Sequence, residues 1–126
     1  MSNDWRVLVV EDEPDGQEVV KGILDHFNIS ADAVGTAEEA VLALQSDRYA
    51  AVVIDLALPG MDGMELLAAI RTNEDTAGLP CIAVTAFHAS VVKQQALQAG
   101  FDAYFPKPLG DVAFVQELDR IISKTR

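Results

Sequence analysis

Short, continuously apolar segments recur along the chain and are separated by longer stretches with a different period. A run such as Arg-Val-Leu-Val-Val is typical of a strand that is covered on both faces, because neither face then needs polar residues. The clearest run ends in a carboxylate, at Asp55. On this pattern we predict five strands, at residues 6–10, 30–34, 51–55, 81–85 and 102–105.

The stretches between these strands carry apolar residues at the three- and four-residue spacing of an amphipathic helix. Pro14 suits the first turn of a helix, where no main-chain N–H is needed. Thr36 precedes the second helix, with Glu39 at the spacing of a capping box. We predict helices at residues 14–27, 37–46, 89–99 and 110–123, and one between the third and fourth strands that carries Met64, Leu66, Leu67 and Ile70. Val112 is expected on the apolar face of the last helix, with Val115, Leu118, Ile121 and Ile122.

Five alternating strand and helix segments predict an α/β fold with a parallel sheet and helices on both faces. A chain of 126 residues and 13.6 kDa has room for one domain of this kind, residues 1–126. The net charge of −11 argues against direct binding of nucleic acid or an anionic membrane surface. With one cysteine, Cys81, and no signal peptide or membrane-length apolar run, we expect a cytoplasmic protein with an inert, buried thiol.

Polar residues follow the predicted strands at their carboxyl ends, where open parallel sheets bind ligands. Glu11 and Asp12 follow the first strand, Asp55 ends the third, Thr85 ends the fourth and Lys107 follows the fifth. Three neighbouring carboxylates repel one another unless a cation lies between them. Because all the donors are hard oxygen atoms, the expected ion is Mg²⁺.

Four segments in this order resemble the receiver domain of two-component response regulators: VLVVEDEP, VVIDLALPGMDG, AVTAF and YFPKPL. The resemblance covers residues 5–123 and implies a flavodoxin-like sheet with strand order 2-1-3-4-5. It also implies that Asp55 accepts a phosphoryl group from a sensor histidine kinase or histidine phosphotransfer protein. Glu11, Asp12, Asp55 and the main-chain carbonyl of Ala57 would position Mg²⁺, with Glu11 acting through water.

The resemblance assigns the remaining polar residues to phosphate binding and signalling. Thr85 would hydrogen-bond the phosphoryl group and Lys107 would pair with it, next to a cis Lys107–Pro108 bond. Tyr104 would turn inward when Thr85 moves, which relays the change to a partner-binding surface. We further hypothesise that Ala57 and Phe87 make the phosphorylated state long-lived. Ala57 has no side chain that could guide an attacking water, and Phe87 shields the phosphate.

The downstream partner, a separate protein or a fused output domain, is not identified by the sequence. By resemblance, the phosphodonor docks on the first helix, whose apolar residues are Val19, Val20, Ile23 and Leu24. Phe87, Tyr104, Phe105 and Phe114 are candidates for an exposed surface near the last strand, although core packing accounts equally well for Phe114.

Two other functions remain open at this point. A Mg²⁺-dependent phosphohydrolase would use an aspartyl nucleophile on a similar sheet, but its usual second acid is replaced by Ala57. A binding module that works without phosphorylation is also possible, although intact Asp12, Asp55, Thr85 and Lys107 argue against it. The interpretation we favour is a signalling switch, not an enzyme, that catalyses only its own phosphoryl transfer and dephosphorylation.

Overall fold

The strands and helices are close to those predicted from the hydrophobic pattern. The computed structural model describes residues 5–86 and 90–125, with the main chain alone at residues 111 and 125. The strands are β1 (Arg6–Val10), β2 (Ser30–Val34), β3 (Ala51–Asp55), β4 (Cys81–Thr85) and β5 (Ala103–Pro106). The helices are α1 (Pro14–His26), α2 (Ala37–Ser46), α3 (Gly63–Thr72), α4 (Ser90–Ala99) and α5 (Asp111–Thr125).

The five strands form one parallel sheet in the order β2-β1-β3-β4-β5, as predicted. β3 and β4 are buried along their whole length, because helices cover both of their faces. β2 lies at one edge and is the most polar strand, with no fully buried residue. The strand order implied by the resemblance, with the second strand at an edge, is therefore confirmed.

Side chains that alternate along the strands build two separate cores. Val7, Val53 and Val84 point into the core beneath α1 and α5, whose largest fully buried side chain is Phe114. Leu8 belongs to the opposite core, beneath α2, α3 and α4. Because each core has its own helices, the sheet between them is held rigidly and its carboxyl edge is fixed in position.

Helix caps are local features that the sequence shows well. Thr36 caps α2 as predicted, since its hydroxyl oxygen accepts a hydrogen bond from the Glu39 main-chain N–H at 3.0 Å. The Glu39 carboxylate accepts from the N–H of Gly35, one residue before the expected position. Asp62 and Glu65 form a complete capping box at the start of α3.

Some sequence-based expectations require correction, and the alternative left open for Phe114 is decided in favour of core packing. Val112 is 52% exposed and does not join the apolar face of α5, because at about 100° per residue it lies roughly 120° round the helix from Leu118, the middle of that face. Phe114 is fully buried against Phe105 and is excluded from any exposed aromatic surface. α1 ends at His26, one residue earlier than predicted, because Asn28 turns the chain with a φ of 62°. In the described residues, no helix is both long and apolar enough to cross a bilayer.

Candidate functional site at the carboxyl edge of the sheet

The parallel sheet brings the predicted site residues to one edge. Glu11 and Asp12 directly follow β1, Asp55 is the last residue of β3 and Thr85 is the last residue of β4. Lys107 directly follows β5, and its main-chain N–H donates to the carbonyl of Thr85 at 2.9 Å. The predicted cis peptide bond between Lys107 and Pro108 is present.

Asp55 is a buried carboxylate with a partner for each oxygen atom. Only 5% of the residue is exposed. Oδ1 accepts a hydrogen bond from the main-chain N–H of Ala57 at 2.9 Å, and Oδ2 accepts from Nζ of Lys107 at 2.9 Å. These two bonds fix the plane of the carboxylate, and each oxygen keeps further lone pairs for a ligand.

Glu11 is buried more deeply than Asp55, at 2% exposure. Its main-chain N–H continues the sheet by donating to Val34 at 3.0 Å, and its carbonyl accepts from Nε2 of Gln17 at 2.7 Å. Oε1 accepts from the ammonium of Lys107, and Oε2 accepts from the N–H of Glu13 at 3.2 Å. Both the main chain and the carboxylate of Glu11 are therefore held in place.

The local charges explain how these groups titrate. Burial raises the pKa of Glu11, and the hydrogen bond from Lys107 opposes that rise. Burial by itself lowers the pKa of Lys107, but the bonds to Glu11 and Asp55 outweigh it and raise the pKa. Lys107 is thus an ammonium with two carboxylate partners, and Asp12 adds a further negative charge next to them.

Glu11, Asp12 and Asp55 each direct one carboxylate oxygen into a common space, and these oxygens lie within 4.8 Å of one another. Asp12 is half-buried, whereas the other two residues are buried. Such a set of oxygen donors fits Mg²⁺, which prefers carboxylates, carbonyls and water. The structure brings together the three acids predicted from the sequence. The fourth predicted ligand is the main-chain carbonyl of Ala57; for this residue the structure shows a hydrogen bond from the main-chain N–H to Asp55.

Thr85 and Tyr104 lie on the same face of the sheet. Thr85 is buried, at 1% exposure, and follows the alternation of Cys81 and Ala83, which belong to the core beneath α2, α3 and α4. Tyr104 is half-buried and packs against that same core. Ala83 is paired with Tyr104 in the strand register. A switch that couples the two residues stays a prediction.

The remaining surface candidates have different outcomes. On α1, Val19 is 57% exposed, whereas Val20 and Leu24 are buried and Ile23 is half-buried. Of the four apolar residues, Val19 is therefore the most accessible for a partner. Phe87 lies outside the described residues, so its predicted shielding role stays a hypothesis.

Two residues that support the site were missed by sequence reasoning. Gln17 holds the carbonyl of Glu11 from the first turn of α1, and the six-residue separation gives no recognisable motif. Gly63 begins α3 against the third strand, where an added Cβ would lie 2.8 Å from the Asp55 carbonyl oxygen. Its place after the Asp62 cap was the available signal, because a glycine at the start of a helix often marks close main-chain approach.

Comparison with known proteins identifies the family. The family described as "Response regulator receiver domain" matches residues 7–119. An uncharacterized 14.6 kDa protein of Leptolyngbya boryana is 32% identical over 87% of this chain and 84% of its own length. The sensor protein GacS of Pseudomonas syringae pv. syringae is 34% identical over 88% of this chain, which spans only 13% of GacS.

The structural comparison agrees with the sequence comparison. The receiver domain of a sensor histidine kinase from Pseudomonas aeruginosa PAO1 superposes with a TM-score of 0.87 and 31% identity. The match covers 94% of this chain and 98% of that one, whose structure has a magnesium ion coordinated in its active-site cleft. Similarity therefore extends over nearly the whole fold and includes both a small protein and a segment of a much larger kinase.

Proposed function

This chain belongs to the response regulator receiver domain family of two-component signalling, and on that basis we propose that Asp55 is its phosphoacceptor. The observation that carries the proposal is the environment of Asp55, a buried carboxylate with Lys107 on one oxygen and two further acids beside it. Three carboxylates beside one ammonium leave an excess of negative charge at this site, so a divalent cation is its natural partner.

In the proposed reaction, a carboxylate oxygen of Asp55 attacks the phosphorus atom of a phosphohistidine on the donor protein. A P–O bond forms, the P–N bond breaks, and its electron pair leaves with the imidazole nitrogen. A carboxylate nucleophile needs no general base. Lys107 then exchanges its bond to Asp55 for one to the phosphoryl oxygens, whose charge it stabilises.

Glu11, Asp12, Asp55 and the carbonyl of Ala57 are the residues that would hold Mg²⁺, with Glu11 acting through water. The ion supplies positive charge against the transferring phosphoryl oxygens. The cluster of three carboxylate oxygens within 4.8 Å supports this assignment. Lys107, which is bonded to Oδ2 of Asp55, would supply a second positive charge to the phosphoryl group.

For the output of the switch, we assign hydrogen bonding of the new phosphoryl group to Thr85 and relay of the change to Tyr104. Their shared face of the sheet supports this assignment. The phosphodonor is a sensor histidine kinase or a histidine phosphotransfer protein, and the recipient of the signal is a separate protein or a fused output domain. The reaction is the domain's own phosphorylation and dephosphorylation, and the expected location is the cytoplasm.

The test is intact-mass spectrometry after incubation with acetyl phosphate and Mg²⁺. The unmodified protein should gain one phosphoryl mass in a Mg²⁺-dependent manner, and Asp55→Asn should gain none. Asp75→Asn, which removes an exposed acid from the loop before β4, is the matched control and should be labelled normally. Labelling of the Asp55→Asn variant, or failure of the unmodified protein with every phosphohistidine donor tried, would contradict the proposal.

A further inference from the structure

Gly16 lies against the carboxylate of Glu11 more closely than any side chain would allow. It is the third residue of α1. A Cβ added there would lie 2.4 Å from Oε1, 2.7 Å from Cδ and 2.9 Å from Cγ of Glu11. All three distances are shorter than a non-bonded contact, so an alanine at this position requires the whole Glu11 side chain to move.

Glu11 cannot make that movement without losing its partners. The side chain is buried, Oε1 is bonded to Lys107 and Oε2 to the N–H of Glu13. The main chain is held on one side by Val34 and on the other by Gln17. A Glu11 oxygen already lies within 4.8 Å of oxygens of Asp12 and Asp55, so a shift toward them would add repulsion.

A glycine within a helix lowers the stability of that helix, because it gains more main-chain freedom on unfolding than alanine does. α1 contains a second glycine, Gly22, whose added Cβ would meet nothing within 4 Å. The two positions therefore differ in one respect that matters here: Gly16 faces the acidic site and Gly22 faces open space.

We propose that Gly16 is a positioning residue of the acidic site, whose missing side chain lets the Glu11 carboxylate lie against α1 and bond Lys107. The inference rests on the Mg²⁺ site of the proposed function and adds a residue to it. When the Glu11 carboxylate is held in this place, the oxygens of Asp12 and Asp55 can define the position of the ion. Residues that orient a metal ligand commonly change affinity by about 10- to 100-fold when they are replaced.

The first test measures Mg²⁺ affinity by isothermal titration calorimetry. We expect Gly16→Ala to bind Mg²⁺ about tenfold more weakly than the unmodified protein, and Gly22→Ala to bind it equally well. In a Glu11→Ala background, which removes all three contacted atoms, Gly16→Ala should have no further effect. Unchanged affinity in Gly16→Ala, or the same loss in both backgrounds, would overturn the inference.

The second test needs no metal and compares melting temperatures without Mg²⁺. Alanine is the better helix former, so Gly22→Ala should melt a few degrees higher, about 3 °C. Gly16→Ala should melt lower or fail to fold, yet in the Glu11→Ala background it should melt higher, as Gly22→Ala does. A rise for Gly16→Ala in the presence of Glu11, or a fall in its absence, would refute the positioning role.

The two tests separate this inference from the proposed function. If the unmodified protein binds no Mg²⁺, the proposed ion site is wrong. The melting temperatures of Gly16→Ala with and without Glu11 then test only whether Gly16 packs against Glu11. If Mg²⁺ binds and Gly16→Ala binds it equally well, the ion site stands and the role of Gly16 is wrong.

Discussion

Nζ of Lys107 lies 2.9 Å from Oδ2 of Asp55, and the same ammonium donates to Oε1 of Glu11. Both carboxylates are almost fully buried, whereas the lysine side chain is 28% exposed. One cation that reaches in from the surface thus compensates two buried negative charges. The residue assigned to stabilise the phosphoryl group also stabilises the fold before phosphorylation.

Replacement of Lys107 by alanine should destabilise the protein, because Glu11 and Asp55 then remain buried without a counter-ion. Removal of one partner of a fully buried pair costs about 3–5 kcal/mol, and partial exposure of Lys107 reduces the expected cost to about 2 kcal/mol. Urea unfolding at neutral pH measures it, with Lys93→Ala on the exposed surface of α4 as the control.

The cost of Lys107→Ala should be smaller in a Glu11→Gln background, because one buried charge has already been removed. The stability from Lys107 should also depend on pH in a definite direction. Its raised pKa means that the folded protein holds the proton more tightly, so this contribution is complete below the lysine's ordinary pKa and is lost as pH rises through the folded value. Equal costs in the two backgrounds would contradict the shared-cation arrangement.

A second charged cluster, at the opposite end of β1, makes an alkaline pH prediction. The hydroxyl of Tyr49 donates to Asp32 at 2.8 Å, and the guanidinium of Arg6 forms a salt bridge with Asp32 and lies over the Tyr49 ring. Burial, followed by the bond and the charge of Asp32, raises the pKa of Tyr49 to about 12. The folded state therefore favours the protonated phenol.

This arrangement should stabilise the fold below pH 10 and lose its contribution between about pH 10 and 12, because the unfolded tyrosine ionises near 10. Absorbance titration of the phenolate measures the pKa, and Tyr49→Phe should remove the highest transition and flatten the loss of stability over that range. Asp32→Asn should bring the Tyr49 pKa closer to its ordinary value. A Tyr49 transition near 10 in the folded protein would contradict the prediction.

The fold and the main site residues were predictable because they depend on local patterns. Continuous apolar runs identify buried strands, and the carboxyl ends of parallel strands converge regardless of loop details. Glu11, Asp55 and Thr85 could therefore be placed together from their positions after predicted strands. The partners of each group were harder to predict, since the bond from Gln17 to Glu11 depends on the packing of α1 against β1.

Burial along α5 shows a second limit of sequence reasoning. Val112 was grouped with the buried residues of that helix, yet at about 100° per residue it lies roughly 120° round the helix from Leu118 and is exposed. An apolar residue in a helix is expected to be buried only when its angular position also matches the apolar face. Gly16 could not be assigned a role from the sequence, because that role depends on the Glu11 side chain, which only the folded structure brings beside it.

Arg71, at the C-terminal end of α3, joins segments that are far apart in sequence. Its guanidinium donates to the carbonyls of Leu79 at 2.6 Å and Gly100 at 2.9 Å, and to Asp102 at 3.2 Å. Arg71→Ala should lower stability by about 2 kcal/mol, because several carbonyl and carboxylate partners lose a charged donor together. Arg71→Lys should recover only part of this, since an ammonium cannot reproduce the planar set of donors.

Chemical denaturation measures the effect of these Arg71 variants. The control is Arg120→Ala, which breaks an exposed pair with Glu117 three residues earlier on the same helix. Exposed pairs of this kind contribute little to the free energy of unfolding, so Arg120→Ala should change it by no more than about 0.5 kcal/mol. If Arg71→Ala were no more destabilised than Arg120→Ala, the guanidinium would not be holding these segments together.

Cys81 should be inert toward thiol reagents while the protein is folded. The residue is fully buried, and its thiol donates to the carbonyl of Leu79 at 3.4 Å. Burial raises the pKa of the thiol to about 12, so the reactive thiolate is rare at pH 8. We expect reaction with a disulfide reagent to be at least ~100-fold slower than in urea, because it requires opening of the fold.

The control for Cys81 is the double variant Ser46→Cys/Cys81→Ala, which moves the thiol to the exposed end of α2. That variant should react at the rate of an unhindered cysteine with or without urea. The rate for Cys81 itself should rise with denaturant in parallel with unfolding, since reaction follows the open state. Rapid labelling of native Cys81 at pH 8 would show that β4 opens locally, contrary to its complete burial between the two helix layers.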